Sequence, residues 1–326
     1  MPDPLLILPN LMSMMMTTPA QSPMVQLLSA LAPQEGYNLT ALPDVRILRS
    51  DRPLARTPVL YDPGIVFVCQ GSKRGFFGDR VYLYDEQHYL AVSVPVPFTM
   101  ETTASADHPL LAIYMHLDFN VVTELLLQLA QQQVPLTAKA AQSMMSSPMD
   151  EALRASVLRL LSALNHPLDA VMLGPALVRE LYYRVLTGAQ GNALRAALTQ
   201  QGQFGKVGKA LRHIHAHYAQ PQNLAQLAAE AGMSVPTFHT HFKGITQQSP
   251  MQYVKSVRLH QARMLMVRQE MTAAAASHAV GYESPSQFTR EFKRLFGLPP
   301  GEEVKRMQRS FAVPPAQQAA AFVSSH

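Results

Sequence analysis

Side chains that can read base edges and neutralise phosphate fall twice in the last third of the sequence, at matching offsets. Pro236, His239, Thr240 and Lys243 share one side of a helix if Phe238 and Phe242 occupy the other. Ser286, Thr289, Arg290 and Lys293, with Gln287 at the margin, stand in the same way around Phe288 and Phe292. Arginine can pair bidentately with guanine, threonine offers a hydroxyl and a methyl, and lysine neutralises phosphate. The chemistry of such a face is recognition in a major groove, without a covalent step. Two faces imply two grooves.

Each face needs a helix held at a fixed angle, and the sequence supplies the same device twice. Leu227-Ala228-Ala229-Glu230-Ala231-Gly232-Met233-Ser234 precedes the first, and Ala275 to Ala279 with Val280-Gly281-Tyr282-Glu283-Ser284 precedes the second. Ala228 and Ala276 are small enough for two helices to cross closely, Gly232 and Gly281 suit a tight helix stop, and Ser234 and Ser284 can cap the helix that follows. Between the copies, Pro250 to about Gln269 reads as one long helix with Ser249 as its cap. About 20 residues at 1.5 Å each span roughly 30 Å, close to the ~34 Å between successive major-groove faces.

Leu227 to Lys243, Ser249-Pro250-Met251-Gln252-Tyr253 and Gly281-Tyr282-Glu283-Ser284 through Phe296-Gly297 resemble the DNA-binding domain of AraC-type transcription regulators. Two helix-turn-helix motifs in tandem around this connecting helix are a specific pattern, where one alone would be weak. One departure stands at the end. Family members often continue with Pro, an aromatic and a basic residue, whereas this chain has the more acidic Leu298-Pro299-Pro300-Gly301-Glu302-Glu303-Val304-Lys305. Upstream, Tyr61-Asp62-Pro63-Gly64, Val68-Cys69-Gln70-Gly71-Ser72-Lys73 and Gly78-Asp79-Arg80-Val81-Tyr82-Leu83-Tyr84-Asp85 resemble the N-terminal domain of one AraC-type subgroup. The resemblance implies a regulator that binds double-stranded DNA, works with RNA polymerase as an activator, responds to a small-molecule effector through a cupin-like barrel, and pairs as a homodimer through helices beside that barrel.

Composition agrees with such a division. At 48% hydrophobic and 15% charged residues the chain can bury ordinary cores. The net charge of +5 hides a split, because from Gly205 onward Lys and Arg far outnumber Glu and no Asp occurs, while the preceding part is slightly acidic. A basic C-terminal part attracts nucleic acid without specifying sequence. The single cysteine, Cys69, excludes an internal disulfide and a cysteine-rich zinc module, and points to a reducing cytoplasm. No apolar run approaches the roughly 18 residues of a membrane span. Met12, Met14 to Met16 and Met24 offer alternative starts.

The expected fold is multidomain α+β: a cupin-like β-barrel with a helical subdomain, then an all-α double helix-turn-helix domain. The expected divisions are a disordered tail at 1–25, the barrel at 26–118, a helical linker or dimerisation region at 119–201, the DNA-binding domain at 202–312 and a second disordered tail at 313–326. Short alternating runs from Val45 to Phe119 carry the β signal. Phe119 to Gln132, Pro148 to Leu164 and Leu177 to Leu186 carry helical spacing, and Val157, Leu160, Leu161 and Leu164 form a contact face for either a second protomer or the chain's own barrel. Gly188 to Gly208 reads as a linker or hinge.

Other reactive side chains have bland readings beside sharper ones. Cys69 is either a small buried hydrophobe or, given Lys73 and Arg74 nearby in sequence, a thiol sensing electrophiles or oxidants. Tyr82, Tyr84, Tyr89 and Tyr114 could line a pocket or pack a core. Of His213, His215 and His217 only the first and last share a helix face, which leaves a metal short of a third ligand. His88, His108 and His116 lack the close His-x-His pair of metal-dependent cupins. An enzyme of that class fused to a DNA-targeting domain is the alternative reading; the favoured one needs no metal and no cofactor.

Overall fold

The computed structural model describes residues 22–135, 140–199 and 202–310. The helix α1 (Pro23–Leu31) leads into nine strands: β1 (Gly36–Leu39), β2 (Val45–Ser50), β3 (Leu54–Tyr61), β4 (Gly64–Gln70), β5 (Ser72–Phe77), β6 (Arg80–Asp85), β7 (His88–Val92), β8 (Val96–Thr103) and β9 (Leu110–His116). Then come α2 (Phe119–Gln131), a tenth strand β10 (Met144–Pro148), and α3 (Glu151–Leu164), α4 (Pro167–Met172), α5 (Gly174–Thr187) and α6 (Gly191–Leu198). The C-terminal helices are α7 (Gly202–His217), α8 (Leu224–Glu230), α9 (Val235–Thr246), α10 (Pro250–Arg268), α11 (Ala273–Ala279), α12 (Pro285–Phe296) and α13 (Pro300–Ser310). None of the described helices is long and apolar enough to cross a membrane.

All ten strands join one antiparallel sheet, in the order β1-β2-β9-β4-β7-β6-β5-β8-β3, with β10 pairing β7 off that path. It is an antiparallel half-barrel where a cupin-like barrel was expected. Its central strands are buried on both faces, and the period of two sorts their side chains. From β4, Ile65, Phe67 and Cys69 join the core under α1 to α6, whereas Val66 and Val68 join the core shared with the C-terminal helices. Leu111, Ile113 and Met115 of β9 take the first side, and Leu110, Ala112 and Tyr114 the second. That second core continues into Leu211, Ile214, Phe238, Phe242, Tyr253 and Val257, so the sheet and the first helix-turn-helix unit bury each other's apolar surface.

Several local expectations change. Residues 22–25, expected in the N-terminal tail, enter α1, where Ser22 is the cap and Val25 is buried; residues 1–21 and 311–326 lie outside the described residues. Pro148 closes β10 and does not open a helix, since Asp150 caps α3 by accepting from Leu153 N–H at 2.7 Å. Much of the expected linker at Gly188 to Gly208 is helical, in α6 and the first turns of α7. The apolar stripe of α2, expected at Leu125, Leu126, Leu129 and Ala130, is Val122, Leu125 and Leu129, with Leu126 half-buried and Ala130 exposed. Val157, Leu160 and Leu161 are fully buried in the core shared with α5, so that face serves the chain's own packing.

The two halves also meet through a polar relay. His215 Nε2 lies 2.8 Å from the Tyr253 hydroxyl, which donates to Pro95 O at 2.8 Å. The hydroxyl has one proton, so His215 must donate through Nε2–H. Burial pushes its pKa down from 6.5 to about 4, and His260, buried beside Arg263, is lowered too. Above pH 6.5 neither state of the chain protonates His215 and its effect on stability vanishes. Between pH 6.5 and 4 the unfolded chain binds a proton that the folded chain refuses, so stability should fall by about 3 kcal/mol from His215 alone. Urea midpoints of the native chain and His215→Gln across this window test the point, and parallel curves would contradict it.

Candidate nucleic-acid interface

The helices α8 and α9 form the first helix-turn-helix unit, and α11 and α12 the second. Gly232 and Gly281 have φ of +61° and +84°, the left-handed region that ends a helix cheaply only at glycine. A Cβ at Gly281 would also stand 2.1 Å from Ala219 O, so the second turn admits no other residue. Ala228 and Ala276 are buried at the crossings. Ser284 caps α12 by accepting from Gln287 N–H at 3.3 Å. Ser234 occupies the same place before α9, yet its hydroxyl faces Thr237 Oγ1 at 2.8 Å and makes no cap to the backbone.

Phe238, Phe242, Phe288 and Phe292 are fully buried, which turns the opposite faces outward. Pro236, His239, Thr240 and Lys243 are all exposed on α9, and Ser286, Gln287, Thr289, Arg290 and Lys293 are all exposed on α12. Thr240 and Thr289 donate to the carbonyls of Pro236 and Pro285, at 3.1 and 2.9 Å. Gln287 is partly engaged, donating to Glu291 Oε1 at 3.2 Å. Arg294 is a further exposed cation on α12 that the spacing argument passed over.

Polar contacts not evident in the sequence fix the second unit. Glu291 accepts from Lys255 Nζ at 2.7 Å and from the Tyr282 hydroxyl at 2.8 Å, which joins α12 to α10 and to its own turn. Burial opposes ionisation of Glu291, but these bonds and the one from Gln287 hold its pKa below the ordinary value. Arg258 of α10 donates to the carbonyls of Tyr218, Gln220 and Gly281, at 2.7, 2.8 and 3.1 Å. The connecting helix is therefore no bare spacer. It is buried on nearly all sides, against both units, α13 and the strands β3 and β8. Its start carries the expected cap as a capping box between Ser249 and Gln252.

The acidic departure after α12 also acquires a role. Glu303, fully buried, accepts from Arg263 Nη1 at 3.2 Å and from Arg306 Nε and Nη2, both at 2.8 Å. Arg263 lies over the Phe296 ring, 4.2 Å from its centroid, and donates to Pro58 O at 3.0 Å, while Arg306 reaches Thr57 Oγ1 at 3.3 Å. An ion network thus ties α10 and α13 to β3.

The remaining candidates separate. Cys69 is buried, and desolvation pushes its thiol up to about 12, so almost no thiolate forms near neutrality. Lys73 and Arg74 lie on β5, which does not pair with β4 in the sheet, so burial and strand order favour the packing reading over the sensing one. Tyr84, Tyr89 and Tyr114 are buried and Tyr82 is half-buried. His213 pairs with Glu230 at 3.0 Å and stacks on His217 with centroids 4.7 Å apart. Among the described residues no three metal-ligating side chains gather, so the metal-dependent alternative finds no ligand set there.

Comparison with known proteins converges on one family. Residues 41–193 match the N-terminal domain model of AraC-type transcriptional regulators, and residues 227–306 match a helix-turn-helix domain model. An AraC-like transcription regulator of Streptomyces lividans is 34% identical over 29% of this chain and 32% of its own length. A thc operon regulatory protein of Rhodococcus erythropolis is 27% identical over 45% of this chain and 48% of its own length. The chain thus spans a third to a half of these relatives. Apo ToxT of Vibrio cholerae shares the fold at a TM-score of 0.58 and 12% identity, over 83% of this chain and 99% of ToxT. The form of ToxT bound to an unsaturated fatty acid gives 0.54 and 10%, over 86% of this chain and 99% of ToxT. With both of its halves matched, the chain belongs to the AraC-type transcription regulators.

Proposed function

We propose that this chain is a cytoplasmic, sequence-specific DNA-binding regulator that reads two successive major grooves with α9 and α12 and activates transcription. The observation that carries the reading is the paired geometry. Two helices of matching sequence bury their phenylalanines and leave nine polar, basic or proline residues exposed at the predicted offsets. Arg290 is the candidate reader of guanine, and Lys243 and Lys293 the candidate phosphate contacts. RNA polymerase is the proposed downstream partner. A homodimer would use the exposed Leu168, Val171, Met172 and Leu173 in and beside α4, because the face on α3 is spent on packing.

The half-barrel is proposed to bind a small acidic effector. Lys73 is buried on β5, has no ion pair among the described residues, and is pushed down to about 7 by desolvation. A bound carboxylate would supply the missing counter-charge. ToxT, of the same fold, is known in a form bound to an unsaturated fatty acid. The region from about 202 to 312 is the proposed DNA-binding domain, and a fragment starting at Gly202 should prefer selected DNA over random DNA at moderate salt, by on the order of 10³-fold or more. A fragment that shows native helix content by circular dichroism but equal affinity for both would contradict this division.

A further inference from the structure

A cavity of about 200 Å³ lies where the half-barrel, α2 and the α6–α7 junction meet, away from both DNA-facing helices. Its polar lining is Asp62 and Ser93 from the sheet's turns, Thr123 of α2, and Arg212 and His215 of α7; its apolar lining includes Val94, Phe119, Val122, Leu198 and Phe204. Water occupies about 30 Å³ per molecule, so the space holds about seven water-sized groups and suits a ligand of roughly seven to nine non-hydrogen atoms.

Two independent observations indicate what such a ligand carries. The half-buried Asp62 carboxyl lines the cavity and has no hydrogen bond among the described residues, although desolvation, only partly offset by the charge of Arg46, pushes it up to about 7. A carboxylate left in that state is costly, and the natural remedy is a donor from the ligand. Ser93 cannot serve, since its hydroxyl donates to Gln142 O at 2.8 Å. The second observation is the wall of α7. Gly205 and Gly208, one turn apart, line the cavity inside a helix, where each glycine costs about 1 kcal/mol relative to alanine. A Cβ at Gly208 would meet nothing nearer than Arg212 Nη1 at 3.7 Å, so the helix has room for larger residues that the sequence does not use. Arg212, exposed at the mouth, disfavours a second cationic group on the ligand.

We infer that this cavity is a binding site for a small molecule bearing one protonated amine on a short apolar body, the amine donating to Asp62 and the body packing on Phe119, Val122 and Phe204. The site is separate from Lys73 and from the DNA-facing helices. Because its walls come from both halves, an occupant would favour their docked arrangement.

The test is calorimetric titration of the full chain with 2-phenylethylamine and n-hexylamine, against 2-phenylethanol and 3-phenylpropionate. The amines should bind at least about 10-fold more tightly than either comparator. Groups facing Asp62 are Arg46 of β2, Tyr114 of β9, Arg212 and His215 of α7 and Tyr253 of α10. Arginine and tyrosine do not titrate between pH 8 and 6, and His215 stays neutral there, so protonation of Asp62 alone should weaken amine binding by about 10-fold over that range. Asp62→Asn should weaken it comparably at pH 8, and Gly208→Leu, which fills the cavity, should abolish it. The inference is overturned if neither amine binds below about 10 mM, if 3-phenylpropionate binds more tightly than both amines, or if binding survives unchanged in Asp62→Asn and Gly208→Leu. No DNA enters the measurement, so its failure leaves the regulatory reading standing.

Discussion

Glu303→Gln should lower the stability of the chain by about 3–5 kcal/mol, because it leaves the fully buried Arg263 and the part-buried Arg306 without their shared counter-charge. Glutamine keeps the size and one acceptor of the side chain, so the loss reports charge and not a cavity. Burial already pulls the Arg263 pKa down to about 10, and Glu303 is what opposes that pull. The double variant Arg263→Met with Glu303→Leu should recover most of the loss, since a buried pair replaced by packed apolar groups is often neutral or stabilising. Pro58 O would then lose the Arg263 donor, so recovery should be incomplete. Urea midpoints of the three chains decide the matter: a single variant as stable as the native chain would mean that the network is solvated in solution and does not hold α13 on β3.

The second large effect concerns recognition. Arg290 is exposed on α12, on the side opposite Phe288 and Phe292, where a forked donor can pair with a guanine edge. Arg290→Ala should cost about 1–3 kcal/mol of specific affinity and relax selectivity at one base position. Lys293→Ala, by removing a phosphate contact, should weaken all sequences alike and reduce the salt slope by roughly one. Titrations on the selected site and its single-base variants, over a salt series, separate the two. Uniform loss from Arg290→Ala would mean that α12 meets DNA through another face.

The recognition helices were legible because each is specified locally. A glycine needing positive φ, a serine at the next helix start and two phenylalanines four apart constrain one short stretch, and the stretch occurs twice. The strands Gly64–Gln70 and Leu110–His116 were legible as β for a similar reason, being continuous apolar runs. What escaped depends on pairing between distant residues. Cys69 and Lys73 are four apart in sequence, yet their strands are separated in the sheet by β7 and β6. Nothing local told that Glu303 would meet Arg263, or that Tyr253 would reach Pro95 across the junction. The helices α4 and α6 are too short for periodicity to declare them against their Gly- and Pro-rich surroundings. The docking of α10 on the sheet was hidden because a helix buried on nearly every side shows no polar face from which to read its orientation.

The central claim is that one chain places two helices in two successive major grooves, and hydroxyl-radical footprinting of the full chain on a selected duplex tests it most directly. The account predicts two protected patches about 10 base pairs apart on one face of the DNA. Thr240→Ala with Lys243→Ala should weaken one patch, and Arg290→Ala with Lys293→Ala the other. A single patch lost equally with either pair, or protection that no α12 substitution alters, would contradict it.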